Sequence, residues 1–334
     1  MTDSAKIRWG IISTAKIGRE QVIPAIRASR NGQVVAIASR DLTKGRALAN
    51  SVGAEHAYDN YEALLADPNV DAIYNPLPNH GHAPWAVAAM RAGKHVLVEK
   101  PMALNTAEAQ AMVDESHAAG VWLMEAFMYR FHPQHTHARE IIASGALGPL
   151  TVIDTSFSYS LSYTDSDNVR LAADMGGGGL WDVGCYCVNS TRWLSGQEPD
   201  AVSGFATYGT TGVDEVFVGT LHFASGLLAH FECSLRSFGR RQYTVSGVKG
   251  QLHVAEAFRP DDHPGVVQIV YRDQDKPETI TVAATNQYTL MVEEFADAIL
   301  NKRPPRFAPE DGVQNMRVLD ALAQAAREHR TIVL

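Results

Sequence analysis

The sequence predicts an α/β protein, with an N-terminal Rossmann doubly wound parallel sheet and a C-terminal α/β domain that holds a large, mainly antiparallel open sheet. In residues 1–125, short apolar segments alternate with helical patterns, which is typical of a parallel sheet. Between residues 201 and 282, strand patterns follow one another with only glycine-containing turns between them, which indicates an antiparallel sheet. A chain of 334 residues exceeds the usual size of one core, so we expect two domains, 1–125 and 126–334.

The first domain is predicted to alternate strands with helices throughout its length. The predicted strands are Ile7–Ser13, Gln33–Ser39, Glu55–Tyr58, Ala72–Asn75, His95–Val98 and Val121–Glu125. The predicted helices are Ile17–Arg30, Leu42–Val52, Tyr61–Ala66, His82–Arg91 and Thr106–Ala119. Gly93 and Gly120 follow two of these helices, where a left-handed C-terminal cap is expected.

The second domain is predicted to begin with a helix, His137–Ser144, and a strand, Leu150–Ser160. A later helix beginning at Leu180 would carry a polar stripe of Asp182, Tyr186, Asn189 and Trp193. The further strands are predicted at Ala201–Tyr208, Glu215–Phe223, Leu227–Leu235, Arg241–Ser246, Gln251–Ala255, Val266–Tyr271 and Glu278–Val282. The closing helices are predicted at Gln287–Leu300 and Asp311–Glu328.

Composition narrows the class of protein. The net charge is −8 and no basic block stands out, so we do not expect a nucleic-acid partner. No apolar run approaches the ~20 residues of a membrane span, and Met1–Lys6 has no signal-peptide pattern, so we expect a cytoplasmic protein without membrane contact. Cys185, Cys187 and Cys233 are interpreted as reduced, buried thiols rather than a metal site.

The first strand–helix turn carries a degenerate dinucleotide fingerprint. Ser13, Ala15 and Gly18 stand where G-x-G-x-x-G is expected, and the last glycine would permit close packing of helix on strand. Ala15 is small enough to let backbone amides approach a pyrophosphate, and the Ser13 hydroxyl offers a further hydrogen bond. The alternative is a packing turn without a nucleotide. Cofactor contacts are predicted for Ser13, Thr14, Ala15, Lys16 and Ile17.

The end of the second strand indicates which dinucleotide is bound. An NAD(H) site favours Asp or Glu there, whereas this chain has Ser39 and Arg40, which suit the 2′-phosphate of NADP(H). Asp41 is interpreted as the N-cap of the following helix. The alternative for Arg40 is an ordinary solvated loop arginine. We therefore predict NADP(H) as the cofactor, in preference to NAD(H).

A proline-containing loop follows the fourth strand and is predicted to line the ligand crevice. Asn79 is interpreted as a helix cap, and the nearby histidines as loop and helix-start residues rather than metal ligands, because no other ligand stands at the required spacing. No metal is expected anywhere in the chain. Cofactor contacts are predicted here for Pro76, Leu77, Asn79 and His82, and after the fifth strand for Glu99 and Lys100.

Two motifs carry the predicted chemistry. The first is Glu99-Lys100-Pro101 at the carboxyl end of a buried strand, the edge at which open α/β sheets bind ligands. The second is a run of four glycines, 176–179, followed by Asp182 and Tyr186 at a spacing that places both on one helix face. Such a glycine run is expected where backbone approaches a ligand or bends sharply. Lys100, Asp182 and Tyr186 would form a proton-relay set for oxidising an alcohol or reducing a ketone.

Together these motifs resemble the Gfo/Idh/MocA family of NAD(P)-dependent oxidoreductases, over nearly the whole chain. The segment 123–134 is similar to the branch of NADP-dependent sugar and dihydrodiol dehydrogenases and 3-ketosugar reductases. The resemblance implies substrate binding between the two domains, a catalytic role for Lys100, and Glu99 beside the nicotinamide ribose. Tyr186 stands where many relatives have His. We favour Tyr186 as proton donor and acceptor, assisted by Lys100, and the reverse assignment is the alternative. Asp182 is assigned a positioning role, because it would orient Lys100.

The predicted substrate is a sugar (aldose or pyranose) or a related diol, contacted by Lys100, Arg130, His132, Arg170, Asp182 and Tyr186. Arg170 lies in a polar loop, 163–174, and an exposed, non-functional charge is an equal alternative. Two other functions stay open: an aldose–aldose oxidoreductase that never releases its NADP(H), and a non-catalytic dinucleotide or sugar sensor. We also expect a homodimer or higher homo-oligomer through the C-terminal sheet.

Overall fold

The computed structural model describes residues 5–162, 168–260 and 263–334, and its contacts divide the chain into two units. The first unit comprises the chain up to Met128 together with Asn286–Val313, and the second comprises Tyr129–Thr285 together with Gln314–Leu334. The domain boundary predicted at residue 125 assumed continuous ranges and stays a prediction. The contact pattern adds a C-terminal segment to the first unit.

The first unit is built on a six-stranded parallel sheet with strand order β3-β2-β1-β4-β5-β6. This order confirms the predicted doubly wound sheet, in which successive strands are added outward on one side of β1 and then, from β4, on its other side. The short buried strands lack polar alternation because helices cover both faces of such a sheet. The strands are β1 (Ile7–Ile12), β2 (Gly32–Ala38), β3 (His56–Tyr58), β4 (Ala72–Asn75), β5 (His95–Val98) and β6 (Leu123–Glu125).

The helices of the first unit begin and end at residues that the sequence marks. Asp41 and Asn105 accept hydrogen bonds from the first turns of α2 and α5, as N-caps do. Gly93 and Gly120 have φ of +74° and +66°, which confirms the left-handed positions predicted after two helices. The helices are α1 (Ile23–Ala28, continuing a π-helical segment, Gly18–Val22), α2 (Leu42–Val52), α3 (Tyr61–Leu65), α4 (His82–Arg91) and α5 (Thr106–Ala119).

A late helix, α8 (Gln287–Leu300), belongs to the first unit and packs against α1, β1 and β2. The rings of Trp9 and Phe295 lie 5.8 Å apart. Asn31 donates to the carboxylate of Asp297 at 2.7 Å and to the backbone carbonyl of Glu293 at 2.9 Å. These contacts close one face of the parallel sheet with residues taken from the far end of the chain.

The second unit is built on a nine-stranded sheet with strand order β14-β13-β12-β11-β7-β10-β9-β8-β15. The pair β7–β10 is parallel and the other pairs are antiparallel, which confirms the predicted mainly antiparallel sheet. The strands are β7 (Leu150–Ser160), β8 (Ala201–Tyr208), β9 (Asp214–His222), β10 (Leu228–Ser234), β11 (Arg236–Gly247), β12 (Gly250–Val254), β13 (Gly265–Tyr271), β14 (Glu278–Val282) and β15 (Ile332–Val333).

Three helices are assigned wholly or mostly to the second unit: α6 (Pro133–Ala143), α7 (Cys185–Ser195) and α9 (Glu310–Glu328). α6 starts four residues before its predicted start because Pro133 occupies the first turn and His132 caps it. Cys185, Cys187 and Cys233 are free and buried, as predicted. Of the helices in the described ranges, none is long and apolar enough to cross a membrane.

Candidate active site

The turn after β1 adopts a conformation that usually requires glycine. Ser13 has φ of +69°, in the left-handed region that L-residues rarely occupy. Its amide donates to the Ala38 carbonyl at 2.7 Å, and its hydroxyl accepts from the Ala15 amide at 3.2 Å. These local hydrogen bonds let serine hold the turn that the first motif glycine normally makes.

This turn leads directly into a helix whose N-terminal amides suit a phosphate. The chain is helical from Lys16, and the first amides of a helix have no acceptor within it. Gly18 lies in the first turn, and a Cβ there would meet Tyr74 at 3.5 Å and Pro76 at 3.7 Å, which is ordinary contact. The predicted packing reason for Gly18 is therefore wrong. The turn fits the pyrophosphate of a dinucleotide, with Ser13, Thr14, Ala15, Lys16 and Ile17 as the residues that would hold it.

The end of β2 carries the positive charge of Arg40, and the carboxylate of the next residue, Asp41, is engaged by other groups. Asp41 accepts from the Lys44 amide at 3.1 Å and pairs with the Lys44 ammonium at 3.3 Å, so the predicted N-cap is confirmed. Ser39 is buried and accepts from the Asp41 amide at 3.2 Å. Arg40 is exposed beside Tyr61, and its charge partly offsets the rise that burial causes in the pKa of that phenol. This edge can bind an added phosphate.

The loop after β4 is held by its own side chains. Asn75 accepts from the Leu77 amide at 3.2 Å, and its side-chain amide donates to the carbonyl of His82 at 3.1 Å. The ring of His82 is buried, with Nδ1 2.8 Å from the Pro101 carbonyl and Nε2 2.7 Å from the Leu77 carbonyl. Burial lowers the pKa of His82 to about 4, so the ring is neutral and its single N–H donates to one of these two carbonyls.

Two predictions for this loop need revision. The two ring nitrogens of His82 face the backbone carbonyls of Pro101 and Leu77, so neither is available to a cofactor and His82 is a supporting residue. Asn79 does not cap a helix as predicted, because it begins a short 3-10 turn and α4 starts at His82 without a side-chain cap. Contacts of Pro76, Leu77 and Asn79 with a cofactor stay predictions.

Lys100 follows β5 in a turn that carboxylates organise. Glu99 is buried, accepts from the Tyr74 hydroxyl at 2.7 Å, and accepts from the Lys100 amide at 3.4 Å. Glu125 accepts from the Met102 amide at 2.8 Å on the other side of the turn. The sequence did not single out Tyr74 or Glu125, although both lie at the ends of neighbouring strands. Two carboxylates thus hold the backbone on either side of the half-buried Lys100.

The glycine run of the second unit is explained by close contacts with its own chain. A Cβ on Gly177 would lie 2.5 Å from the carbonyl oxygen of Arg170, and one on Gly178 would lie 2.3 Å from the carboxylate of Asp214. Gly178 also has φ of +119°, which L-residues rarely adopt. The predicted close approach is therefore an approach to other segments of the chain, the Arg170 turn and the start of β9. It places the Arg170 segment directly against the start of the next helix.

Asp182 lies in a π-helical segment, Leu180–Gly184, that continues into α7. Its Oδ2 accepts from the Tyr159 hydroxyl at 2.5 Å and from Nε of Arg170 at 2.9 Å. The Asp182 carboxylate raises the pKa of Arg170 above its usual value, and burial followed by the Asp182 charge raises that of Tyr159. Arg170 is therefore an ion-pair partner of Asp182, and Tyr159 is a member of the site that the sequence analysis missed. Residues 163–167 of the predicted polar loop lie outside the described residues.

Tyr186 lies one helical turn after Asp182, in an aromatic environment. Its side chain is buried, and its ring centroid is 5.2 Å from Phe157, 5.5 Å from Phe258 and 5.9 Å from Tyr129. It also acts electrostatically on Arg170, which places the phenol in range of the Arg170–Asp182 pair. The sequence had predicted Asp182 and Tyr186 on one face, and these contacts bring both into one neighbourhood.

The remaining members of the predicted stripe serve packing. Asn189 is fully buried and accepts from the Tyr129 hydroxyl at 2.7 Å. The ring of Trp193 contacts Tyr129 edge to face, with centroids 5.9 Å apart. After Tyr186, the polar stripe on α7 is thus made of residues that contact other side chains in the core.

Asp214 secures the start of the helix that carries Asp182. Its buried carboxylate accepts from the Leu180 amide at 2.7 Å, and Gly178 and Gly179 leave room for it. Burial raises the pKa of Asp214 to about 7. A carboxyl from a distant strand therefore caps this helix, a function that no local sequence pattern indicates.

Arg130 and His132 are both buried. His132 caps α6 by accepting from the Gln134 amide at 3.3 Å, and burial lowers its pKa to about 4. This contact gives His132 a structural role, and its predicted contact with substrate, like that of Arg130, stays a prediction. Over the described ranges, no group of three or more His, Cys, Asp or Glu side chains is arranged to hold a metal ion.

Two family models match the chain. Residues 7–127 match the oxidoreductase family with an NAD-binding Rossmann fold, and residues 135–253 match the GFO/IDH/MocA C-terminal domain. Among curated proteins, the chain is 40% identical to D-xylose 1-dehydrogenase (NADP(+)) 2 of Haloferax volcanii, over 98% of this chain and 99% of that protein. It is 35% identical to trans-1,2-dihydrobenzene-1,2-diol dehydrogenase of Mus musculus, over 77% of each chain.

Solved structures agree with these matches. A 3-ketoreductase from Actinomadura kijaniata, in complex with NADP and TDP-benzene, superposes with a TM-score of 0.90 and 30% identity, over 96% of this chain and 98% of that chain. An aldose-aldose oxidoreductase from Caulobacter crescentus superposes with a TM-score of 0.91 and 28% identity, over 98% of this chain and 100% of that chain. The chain therefore belongs to the Gfo/Idh/MocA family and is an NAD(P)-dependent oxidoreductase acting on CH–OH groups.

Proposed function

We propose that the protein transfers a hydride between NADP(H) and a hydroxyl or carbonyl carbon of a sugar or related diol. The observation that carries this proposal is the arrangement around Asp182, whose carboxylate is held by Tyr159 and Arg170 one helical turn before Tyr186. A fixed carboxylate beside a phenol is suited to orienting a hydroxyl for proton transfer. The relatives named above act on sugars and a diol, which supports the same substrate class.

The preference for NADP(H) over NAD(H) is proposed from the end of β2. Arg40 is exposed there, and the carboxylate of Asp41 is already engaged by Lys44. A guanidinium can bind a 2′-phosphate through charge-assisted hydrogen bonds, whereas NAD(H) binding favours a carboxylate for the ribose hydroxyls. The NADP(+) in the name of the xylose dehydrogenase and the NADP in the 3-ketoreductase complex support this preference.

In the proposed reaction, each chain group has a separate task. When bound, NADP(H) would supply the hydride acceptor or donor. Tyr186 removes the proton from the substrate hydroxyl during oxidation and returns it during reduction, and a catalytic role for Lys100 stays a prediction. Asp182 orients the substrate rather than transferring the proton, because two hydrogen bonds already hold its Oδ2. Glu99 supports the Lys100 turn from inside the sheet.

The proposal is tested by initial-rate assays with purified protein. NADP⁺ and NAD⁺ are each offered with D-xylose, D-glucose and trans-1,2-dihydrobenzene-1,2-diol, and nucleotide reduction is followed by absorbance at 340 nm. We expect turnover with at least one sugar or diol and a kcat/KM for NADP⁺ at least ~10-fold above that for NAD⁺. Absence of turnover with every substrate, in both directions, would contradict the proposal.

A second candidate is an aldose–aldose oxidoreductase that retains its nucleotide, which the similarity to the Caulobacter crescentus enzyme supports. Such a protein would be purified with bound NADP(H) and would oxidise one sugar while reducing another without added nucleotide. Denaturing the purified protein and quantifying the released nucleotide distinguishes the two candidates. A sensor without catalysis would bind nucleotide but show no turnover in either assay.

We also propose a homo-oligomer formed through the nine-stranded sheet. Phe205 and Val218 lie directly opposite each other on β8 and β9, and their residues are 70% and 48% exposed. Leu228 on β10 adds a third exposed apolar side chain on the same side of the sheet. A larger assembly would cover this surface. Light scattering that gives a particle of 36.3 kDa at micromolar concentration would reject the proposal.

A further inference from the structure

An arginine on β11 of the second unit lies close to the aromatic side chains around Tyr186. Arg241 lies on β11, directly opposite Phe157 on β7. Residues paired across an antiparallel ladder project from the same face of the sheet, about 5 Å apart at Cβ. Phe157 in turn contacts the ring of Tyr186 at 5.2 Å. Arg241 therefore lies on the face of the sheet against which Tyr186 packs, and Phe157 is a neighbour of both residues.

The neighbours of Arg241 on this face are apolar or already engaged. The rings of Phe157 and Phe258 stack with centroids 5.1 Å apart. Tyr243, two residues along the same strand face, hydrogen-bonds His135 at 2.9 Å. The backbone carbonyl of Arg241 accepts from the Ala257 amide at 2.6 Å, which fixes the strand at this point. The surroundings offer the guanidinium a rigid position on a mostly aromatic surface.

The guanidinium of Arg241 differs from those of nearby arginines in its partners. Arg170, Arg236 and Arg240 each pair with a carboxylate, at 2.9, 2.6 and 2.7 Å respectively. In the part of the chain that the structure describes, Nε of Arg241 is buried without a hydrogen-bond partner. A buried donor left unsatisfied carries a free-energy penalty that a ligand oxygen would remove. The rest of the side chain is partly exposed, so a ligand can reach it.

We infer that Arg241 is a substrate-recognition residue, whose guanidinium binds two adjacent hydroxyl oxygens of the sugar or diol on which Tyr186 acts. This inference rests on the proposed function and extends it to specificity. A guanidinium edge presents two parallel N–H donors, a spacing that suits two oxygens on neighbouring carbons. Substrates with an intact vicinal diol away from the reacting carbon are therefore preferred.

The test combines variants with deoxy sugars. Arg241→Met removes the donors and keeps the bulk of the side chain, and Arg240→Met is the matched control, because Arg240 is the next residue on the strand, faces the other side and pairs with Glu232. D-xylose and D-glucose are compared with their monodeoxy analogues under saturating NADP⁺. For the parent sugars, we expect Arg241→Met to lower kcat/KM by about 10- to 100-fold, mainly through KM. Arg240→Met should stay within about threefold of the wild type.

The decisive result is whether the loss of kcat/KM on removing a substrate hydroxyl depends on the presence of Arg241. Removing a hydroxyl that Arg241 contacts should lower kcat/KM of the wild type by about tenfold or more, but should lower that of Arg241→Met by less than about threefold. Equal losses in both proteins for every deoxy sugar would overturn the inference, as would equal kinetics of the Arg240 and Arg241 variants. Thermal melting and the KM for NADP⁺ show whether each variant is folded.

A conservative variant covers the case in which Arg241→Met does not fold. Arg241→Lys keeps the charge but loses the two-donor edge, so it should retain sensitivity to at most one of the two neighbouring hydroxyls. Retention of wild-type sensitivity to both would overturn the inference. Wild-type protein that turns over neither sugar nor diol would overturn the proposed function and this inference together. Wild-type activity with unchanged Arg241→Met kinetics would overturn this inference alone.

Discussion

The hydroxyl of Tyr159 donates a 2.5 Å hydrogen bond to Oδ2 of Asp182, the oxygen that also accepts from Nε of Arg170. The two residues come from different elements, β7 and the π-helical segment before α7. The carboxylate is 13% exposed and is held from two directions. A group held in this way can orient a substrate without reorganising during the reaction.

Replacing Tyr159 with Phe should lower kcat by about three- to tenfold, because Asp182 then loses one of the two donors that orient it. The matched control is Tyr58→Phe in the first unit, where a phenol also hydrogen-bonds an aspartate, Asp67, at 3.0 Å. Both variants should lose roughly 1–2 kcal/mol of unfolding free energy. Only Tyr159→Phe should change kcat, as measured by steady-state kinetics. Equal kcat values in the two variants would contradict a positioning role.

Replacing Tyr186 with Phe should lower turnover at least ~100-fold, because general acid–base catalysis contributes about 10²–10⁴. The variant keeps the ring contacts with Phe157 and Phe258, so it should still fold and bind nucleotide. Stopped-flow measurement of hydride transfer, with nucleotide fluorescence titration as the control, checks both parts. Turnover near that of the wild type would exclude Tyr186 as the proton donor.

Replacing Arg40 with Ser should raise the KM for NADP⁺ by about 10- to 100-fold and change the KM for NAD⁺ by less than about threefold. The physical reason is the loss of a charge-assisted contact that only the 2′-phosphate can make. Arg46→Ser is the control, because Arg46 is an exposed arginine on the same helix–strand unit. Equal effects of the Arg40 variant on both nucleotides would show that Arg40 does not read the 2′-phosphate.

Asp214 should lower the free energy of unfolding as the pH rises from about 4 to 7, which is opposite to the usual effect of a carboxyl group. Its pKa is about 7 in the folded chain, so between about pH 4 and 7 the folded state holds a proton that the unfolded state has released. This contribution to stability is complete below pH 4 and is lost as the pH rises towards 7, by up to about 1.4 kcal/mol per pH unit. Urea unfolding of Asp214→Asn across this window should lack that loss.

Asp297 provides a control of opposite sign. Hydrogen bonding from Arg30 lowers the pKa of Asp297, so its contribution is present above about pH 4 and is lost at lower pH. Asp297→Asn should therefore alter stability relative to the wild type only above that range. A wild-type minus Asp214→Asn difference that is constant from pH 4 to 7 would refute the assigned role of the Asp214 carboxyl.

Replacing Gly178 with Ala should destabilise the chain by about 2–5 kcal/mol. The new Cβ would lie 2.3 Å from the Asp214 carboxylate at φ of +119°, so crowding and backbone strain add. Gly212→Ala is the control, because Gly212 has φ of +84° but no atom within 4 Å of an added Cβ. It should cost about 1–2 kcal/mol from strain alone. Urea denaturation measures the difference between the two variants.

The periodicity of the sequence was sufficient to predict both sheets, because buried parallel strands and glycine-punctuated hairpins leave different patterns. It was insufficient for elements whose existence depends on distant partners. The two-residue strand Ile332–Val333 forms only because β8 offers it an edge. The helix α8 was predicted as a helix, but its amphipathic pattern does not say which sheet it covers.

The sequence could group candidate site residues where one local motif supplies several of them, but not where contacts join distant parts of the chain. Asp182 and Tyr186 share a helical turn, so their spacing indicated a common face. The Tyr159–Asp182 and Tyr74–Glu99 hydrogen bonds span 23 and 25 residues, and sheet register decides whether such groups meet. The alternation of side chains along β7 could have placed Tyr159 on the same face as Phe157. It could not have shown that Asp182 lies opposite that face.

The return of Asn286–Val313 to the first unit has a consequence for biosynthesis. A ribosome makes the six parallel strands early, but the helix that contacts Trp9 and Asn31 emerges only after 285 residues have been made. Until then, the nascent chain exposes the apolar side of β1 and β2 that α8 later covers. Completion of the nucleotide-binding half is thus a late event in translation, and a C-terminal truncation removes part of the N-terminal half's own core.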